Sequence, residues 1–537
     1  MSTTHEVFNQ VPDLLPYDTS EDASLLEGLE REGAGWASAD LRELGELAGS
    51  VEAQEWGRLA NENPPVLHTH DRYGNRIDEV EFHPHWHDLM SVAVANGLHA
   101  TPWQCDRPGA HVARAAKFYA WGQADAGHMC PISMTYAAVP ALRHNSSLAS
   151  VYEPLLASTH YDFGLRVPTK KRGLTAGMSM TEKQGGSDVR ANTTTAVPSS
   201  DGTYSIVGHK WFTSAPMSDM FLTLAQAPGG LSCFLLPRVL PDGTRNRIVL
   251  QRLKDKLGNK SNASSEIEYD GATGWLVGEE GRGVPTIIEM VNMTRLDCVI
   301  GSAAGIRNAT VRAVHHARHR SAFGARLVDQ PLMRNVLSDL VIESEAATTV
   351  MMRLAGATDR SSDAQERELR RIALAVSKYW VCKRAPSHAA EALECLGGNG
   401  YVEESGMPRL YRESPLMSIW EGSGNVAALD SLRALAKQPD CVEAYFTEVG
   451  HAQGADSRLD DAISLLGKEL SDRSDMEYRA RRVVELMALV FQGALLVRHG
   501  DPAVADAFCA SRLARDWGGA FGTLPTGVDT AAILARV

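Results

Sequence analysis

The sequence predicts an α+β multidomain protein: an N-terminal helical domain, a central β-domain, a C-terminal helical bundle and an extra helical extension. Three observations predict it. The chain has 537 residues, too many for one compact core, since domains run to about 100–200 residues. Its texture changes from helical to β-prone near residue 174 and back near residue 284. Strands and helices do not alternate, so a parallel doubly wound sheet is not expected.

Residues 1–173 carry helical patterns such as HWHDLMSVAVANGLHA and VARAAKFYAWGQADAG, rich in Ala, Leu and Met. Residues 174–283 hold short β-prone runs, among them TYSIVGHKWFTS, MFLTLAQ, LSCFLLPRVL and SEIEYD, separated by Gly, Pro, Asp and Asn. Residues 284–438 return to helical spacing, interrupted by Gly and Pro at 397–408. A polar, irregular stretch at 437–457 marks the boundary to the extension, residues 439–537.

Composition narrows the function classes. Hydrophobic residues make up 44% and charged residues 22%, an ordinary soluble balance. The net charge of −13 works against a general attraction to phosphate backbones. The opening MSTTHEVFNQVPDLLP has no basic region followed by an apolar core, so no secretory signal is read and a cytoplasmic location is expected. The most apolar late stretch, 483–497, is broken by Glu485 and Gln492 and reads as a buried helix, not a membrane span. The eight cysteines are scattered without a CxxC pair, which predicts reduced thiols. His68, His70, His83, His85 and His87 lie close in sequence, but no Cys or carboxylate completes a familiar metal spacing, and no metal is assigned. His315, His316 and His319 read as a helix surface.

Five segments carry chemistry. In MTEKQGGSD, starting at Met180, small and hydroxyl residues leave backbone N–H groups open to a flat ring or a pyrophosphate. Trp211 ends a β-run two residues before Thr213, pairing a packing surface with a hydroxyl. Arg320-Ser-Ala-Phe323-Gly324 offers a fixed cation and a turn for phosphate. Gly397-Gly398-Asn399-Gly400 permits close backbone approach. Glu421 sits between Trp420 and a Gly-rich turn, where partial burial would suit a carboxylate to general-base work. Taken singly, each also reads as an ordinary turn, strand residue or helix cap.

Together, in this order and spacing, the segments resemble the acyl-CoA dehydrogenase superfamily from about Gly177 to Asp430. MTE-x-x-GGSD is similar to its β-domain signature. The E-x-x-GG-x-G-Y element beginning at Glu394, followed by Glu404, Arg409 and Glu413, is similar to its C-terminal signature. The resemblance implies a central β-barrel-like domain, a C-terminal four-helix domain, and FAD lying between them. By position it makes Met180 and Thr181 flavin-edge contacts, Ser187 a phosphate contact, and Trp211 with Thr213 the pair beside the isoalloxazine. Arg320, Phe323, Gly397 and Gly398 become the grip on FAD from a neighbouring subunit, which implies a homotetramer. Gly186, Glu394, Ser423 and Asn425 complete the implied cofactor set.

Glu421 matches the superfamily's catalytic base. Some members carry the base just before an Arg-Leu pair on an earlier helix; here Thr294 precedes Arg295-Leu296 and cannot serve. The implied reaction is α,β-dehydrogenation of an acyl-CoA thioester, with an electron-transfer flavoprotein as a candidate acceptor. Relatives that oxidise nitroalkanes place Asp at the base position, and Glu421 disfavours that chemistry.

Segments such as VFNQVP, REGAGW, GRLANENPP, RLKDKLGNKSNASSE and EESGMPRLYRE resemble an alkylation-response branch of the same superfamily. That resemblance spans nearly the whole chain. It implies an alternative role, a double-stranded-DNA-binding flavoprotein with residual dehydrogenase activity. Residues 440–537 hold ten Arg or Lys against fifteen Asp or Glu, a balance unfavourable to phosphate-dominated binding. The one dense basic run, Arg479, Arg481 and Arg482, reads as a salt-bridged helix face beside Glu477 and Glu485.

Overall fold

The computed structural model describes residues 4–537; the first three residues of the opening segment lie outside it. The described chain divides into two compact units. One gathers the residues up to Val51, His111–Gln123 and Cys298–Val537; the other gathers Glu52–Ala110 and Ala124–Asp297. Neither is one continuous stretch of chain.

The second unit is built on strands. The hairpin β1 (Val66–His70) and β2 (Arg76–Glu81) lies in a region whose sequence reads as helical. Its turn explains the difference. Asp71 Oδ1 accepts hydrogen bonds from the backbone N–H of Tyr73 (2.8 Å) and of Asn75 (2.9 Å), an Asx turn that outweighs the helical texture on either side. The main sheet comprises β3 (Ala176–Ser179), β4 (Thr195–Pro198), β5 (Tyr204–Ser214), β6 (Met220–Ala227), β7 (Gly230–Pro237), β8 (Ile248–Leu253) and β9 (Ser264–Val277). Its pairings run β6–β4–β5–β9–β7 and return to β6, closing a barrel, with β3 parallel to β6 and β8 on β9. Closure leaves few free edges. It also buries both faces of β6, whose sequence MFLTLAQA is accordingly a near-continuous apolar run.

Within this unit the buried carboxylate of Asp125 collects donors from distant segments. Asn61 Nδ2 lies 2.7 Å from Oδ1, the His128 backbone N–H 2.9 Å from Oδ2, and Ser261 Oγ 3.0 Å from both oxygens. The histidines near the hairpin are dispersed among separate partners: His68 meets Glu81, His85 meets Asp88, and His87 meets the Tyr161 hydroxyl. Among the described residues no three His, Cys, Asp or Glu side chains converge as a metal site.

The first unit is helical. Helix Ala364–Cys395 packs against Pro331–Asp359, Gly424–Lys437, Pro439–Gly450 and Met476–His499, so the extension shares a helix with the bundle that precedes it. Helix Met476–His499 buries most positions from Val483 to Leu496, and no described helix is long and apolar enough to cross a membrane. His316 is buried, not on a helix surface as its sequence suggested, because helix Gly283–His319 is covered on the side that carries it. Among the described residues no cysteine is in a disulfide, and of the eight only Cys105 is exposed.

Charge ties the end of the extension to the bundle. Arg512, 1% exposed at its side chain, meets the buried carboxylates of Asp339 and Glu343, and Glu343 also meets Arg384 at 3.0 Å. Arg384 and Arg512 both stack on Trp517. The two guanidinium groups outweigh the effect of burial and hold the Glu343 carboxyl down to about 2. His388, fully buried in the same cluster, lies 3.2 Å from both Thr310 Oγ1 and the Leu340 carbonyl. Burial pushes its imidazole down to about 4.

Both shifts are depressions, so both groups contribute stability that is present at neutral pH and lost on acidification. We expect thermal stability to fall as the pH drops from about 6.5 towards 4, with a further loss below that as Glu343 is titrated. Melts of His388→Asn over the same range should show a flatter upper limb. An unchanged pH profile would contradict the assignment to His388.

Candidate active site

The MTEKQGGSD loop follows β3, and a buried ion pair anchors it. Glu182 is inaccessible to solvent, and Oε1 lies 2.9 Å from Lys210 Nζ on β5, whose ammonium is equally enclosed. The remaining lone pairs are occupied. The Thr193 backbone N–H donates at 2.7 Å, that of Thr194 at 3.1 Å, and Gln184 Nε2 at 2.8 Å. Burial alone would raise this carboxyl; the donors and Lys210 hold it well below the usual range. Burial pushes Lys210 down to about 8 against the pull of Glu182.

With Glu182 turned inward, its neighbours face outward. Lys183, Gly186 and Ser187 are exposed, while Met180 and Thr181 are half-buried. The Trp211 backbone N–H donates to the Thr181 carbonyl at 2.8 Å, which joins the loop to the end of β5. A Cβ at Gly186 would stand 2.5 Å from Thr181 Oγ1, so glycine is needed for the loop to fold back on that hydroxyl. Thr213 is buried, with Oγ1 2.5 Å from Ser179 Oγ. Lys254 Nζ lies 3.3 Å from the centre of the Trp211 ring and 2.7 Å from Glu266, a cation–π contact that fixes one face of the indole.

In the helical unit, Glu421 follows the short helix Leu416–Ile419 and precedes Gly424–Lys437. Its backbone is left-handed, φ 58°, and Gly422 follows at φ 102°. For a residue with a Cβ this costs about 1–2 kcal/mol, and such strain collects at functional positions. The side chain is half-buried, with Oε2 enclosed. Helix Gly424–Lys437 begins at Ser423 without a side-chain cap, leaving its first N–H groups available. Asn425 Oδ1 accepts from Arg481 Nε at 2.8 Å, and a Cβ at Gly424 would stand 3.2 Å from Lys383 Cε. Thr294 donates within its own helix, 3.1 Å from the Val291 carbonyl.

Arg320 leads into a two-residue hairpin between Ser321–Ala322 and Ala325–Arg326. Phe323 (φ 54°) and Gly324 (φ 84°) form its turn, and Phe323 is 100% exposed. Asn9, from the VFNQVP segment, clamps this hairpin. Its side chain donates to the Ser321 carbonyl and accepts from the Ser321 N–H, both at 2.8 Å, while Arg320 Nη1 donates to the Asn9 carbonyl at 2.5 Å. Glu394, Gly397 and Gly398 are exposed, and no atom lies within 4 Å of a Cβ placed at either glycine. Gly400 differs, since its Cβ would stand 2.1 Å from the Leu393 carbonyl oxygen, so that glycine serves the turn itself.

Sequence reasoning left several contributors without a role. Lys210 and Lys378 each interrupt an apolar run, in SIVGHKWF and ALAVSKYW, and that interruption was the available signal. Arg481 carried none, because only the packing of the extension brings it to Asn425. The salt-bridged reading of the basic run holds for Arg479 and Arg482 with different partners, while Arg481 bonds the Asn425 amide. Arg479 and Arg482 pair with Glu469 on the preceding helix, Arg482 at 3.0 Å, and Arg479 also meets Asp472 at 3.1 Å.

Three family models match the chain in order: the adaptive response protein AidB N-terminal domain over residues 9–163, the acyl-CoA dehydrogenase middle domain over 177–272, and the acyl-CoA dehydrogenase C-terminal domain over 281–436. The chain is 48% identical to AidB of Escherichia coli (strain K12) over 94% of each sequence. It belongs to the acyl-CoA dehydrogenase family, in the AidB branch. Its fold is similar to that of Caenorhabditis elegans ACDH-11 in complex with C11-CoA, with a TM-score of 0.86, 27% identity, and coverage of 96% of this chain and 94% of that one. An acyl-CoA dehydrogenase from Bacillus anthracis complexed with FAD shares the fold at a TM-score of 0.65 and 18% identity, covering 84% of this chain and 85% of that one.

The Glu182–Lys210 pair supports the MTEKQGGSD loop from beneath. Lys210→Met would leave a buried carboxylate uncompensated and is expected to lower the unfolding free energy by about 3–5 kcal/mol. Pairing it with Glu182→Gln should recover part of the loss. Denaturant melts of the three proteins check this, and an unaltered single variant would refute it.

Proposed function

We propose that this chain is an FAD-dependent acyl-CoA dehydrogenase in which Glu421 removes the α-proton of a bound acyl-CoA thioester. The observation that carries the reading is Glu421 itself: a half-buried carboxylate on a strained left-handed residue, at the position the family uses for its base. The other base position is taken by Thr294, whose hydroxyl is bonded within its own helix.

The donor set fits FAD. Thr181, Ser187 and the open Gly186 backbone supply hydroxyl and N–H donors for a polar ring edge and phosphate. Trp211, with one face held by Lys254, supplies a flat surface. Ser423, the uncapped N–H groups of helix Gly424–Lys437 and the neighbouring Lys383 and Arg481 suit an anionic dinucleotide. When bound, FAD supplies the acceptor for the substrate's β-hydrogen. The protein's own part is to orient the thioester, exclude water and hold the α-proton on a Glu421 oxygen. An acyl-CoA substrate is supported by the C11-CoA complex of ACDH-11.

A homotetramer is supported by the bare hairpin tip. Phe323 is wholly exposed, and Leu332 and Tyr401 of the same unit are 84% and 83% exposed, large apolar surface of the kind that subunit contacts cover. Arg320, Phe323, Gly397 and Gly398 would then grip the cofactor of a neighbouring copy. An electron-transfer flavoprotein is the proposed acceptor, by analogy with the family alone. The DNA-binding alternative gains nothing from the basic run, since Arg479 and Arg482 are paired with acids.

Anaerobic titration with straight and branched acyl-CoAs should bleach the flavin, and Glu421→Gln should slow bleaching by about 10²–10⁴-fold while thioester binding persists. A flavin that stays oxidised with every thioester would sink the proposal. For the assembly, Phe323→Asp should shift the mass measured by light scattering below that of the wild type and weaken FAD retention. Unchanged mass and retention would remove Phe323 from the interface.

A further inference from the structure

Lys378 has no role in the reading above, and its surroundings call for one. It stands in the middle of helix Ala364–Cys395, in the apolar run ALAVSKYWVC, and is 1% exposed. Methionine would fill such a place without the several kcal/mol that burying an ammonium costs when its hydrogen bonds are incomplete. Both acceptors of its ammonium are backbone carbonyls. Nζ lies 3.3 Å from the oxygen of Ser418 and bonds that of Gly422 more closely. Those two carbonyls bracket Glu421, one from the short helix before it and one from the residue after it.

The Ser418 carbonyl belongs to the last turn of helix Leu416–Ile419, where carbonyls lack intrahelical partners. Gly422 is at φ 102° and Glu421 at φ 58°. A strained conformation persists only where its surroundings over-determine it. One ammonium with three donors, delivered by a long rigid helix and bonded on both sides of the strained residue, is such a determinant.

We propose that Lys378 is a positioning residue for the base: its ammonium clips the Ser418–Gly422 segment closed and so holds Glu421 in its left-handed turn. This rests on the reading of Glu421 as the base, but the clip can be measured without that reading.

The test compares wild type, Lys378→Met and Lys378→Arg as full-length holoproteins. Hydrogen–deuterium exchange over residues 416–425 should speed up by about 10-fold or more in Lys378→Met, with the β-barrel unchanged, and return towards wild type in Lys378→Arg. The rate of flavin reduction by the best acyl-CoA should drop about 100-fold, with the half-saturating concentration unaltered, as expected when a reacting group is displaced by about 1 Å. If Lys378→Met does not fold, Lys378→Arg and Lys378→Gln are measured in the same way. Wild-type exchange over 416–425 in folded Lys378→Met, or in Lys378→Gln where the Met variant does not fold, or an effect confined to KM, overturns the proposal. If no acyl-CoA reduces the wild-type flavin, the reading of Glu421 as the base fails, and exchange alone still decides whether the clip exists.

Discussion

A carboxylate and an ammonium enclosed together beneath an open loop are the constraint on which the β unit depends. Glu182 is drawn inward by Lys210, two backbone N–H groups and Gln184, and every oxygen lone pair finds use. Because that one side chain is committed to the interior, the residues on either side of it must face out. A charged pair is a weak source of stability compared with apolar packing, since desolvation offsets much of the attraction. Its value here is geometric. Together with the Trp211 N–H on the Thr181 carbonyl, it sets the depth and register of a glycine-containing segment.

The helical unit uses buried charge in the same way at two further places. Arg512 and Arg384, facing Asp339 and Glu343, lock the end of the extension onto the bundle. Lys378 bonds carbonyls instead of a carboxylate and sits beside the left-handed Glu421. In each case the charge lies on or against helix Ala364–Cys395. That helix packs against both the bundle and the extension, so it can carry a side chain to a fixed point with little freedom of its own. The extension is accordingly part of the same core, and through Arg481 it reaches the residue four places after Glu421.

The candidate site was proposed from the order and spacing of its segments, through the family they resemble. MTE-x-x-GGSD, Trp211 with Thr213, the Gly397–Gly400 turn and Glu421 are short, local patterns, and their chemistry follows from what each side chain can donate, accept or stack against. The hairpin at 66–81 was missed because an Asx turn of five residues lies between long helical textures and is too brief to shift the local pattern. His316 was misread because helical spacing says which residues share a face and not which face is covered. Glu477 and Glu485 stand on the same helix as Arg479 and Arg482, whereas the acid they pair with, Glu469, arrives from the helix before it.

By itself the sequence determined the helical, β and helical order of the chain, since this depends on residue type and near neighbours, and through its resemblance to the family it nominated Glu421 as the candidate base. Only the tertiary structure decided the closure of the barrel through the pairing of β6 with β7, the inward turn of Glu182, the union of Asn9 with the Arg320 hairpin, and the delivery of Lys378 to the carbonyls around Glu421 and of Arg481 to Asn425. The physical reason is range. Propensity and turn chemistry act over a few residues, while the partner of a buried polar group is whichever group folding brings within about 3 Å, often hundreds of residues away along the chain.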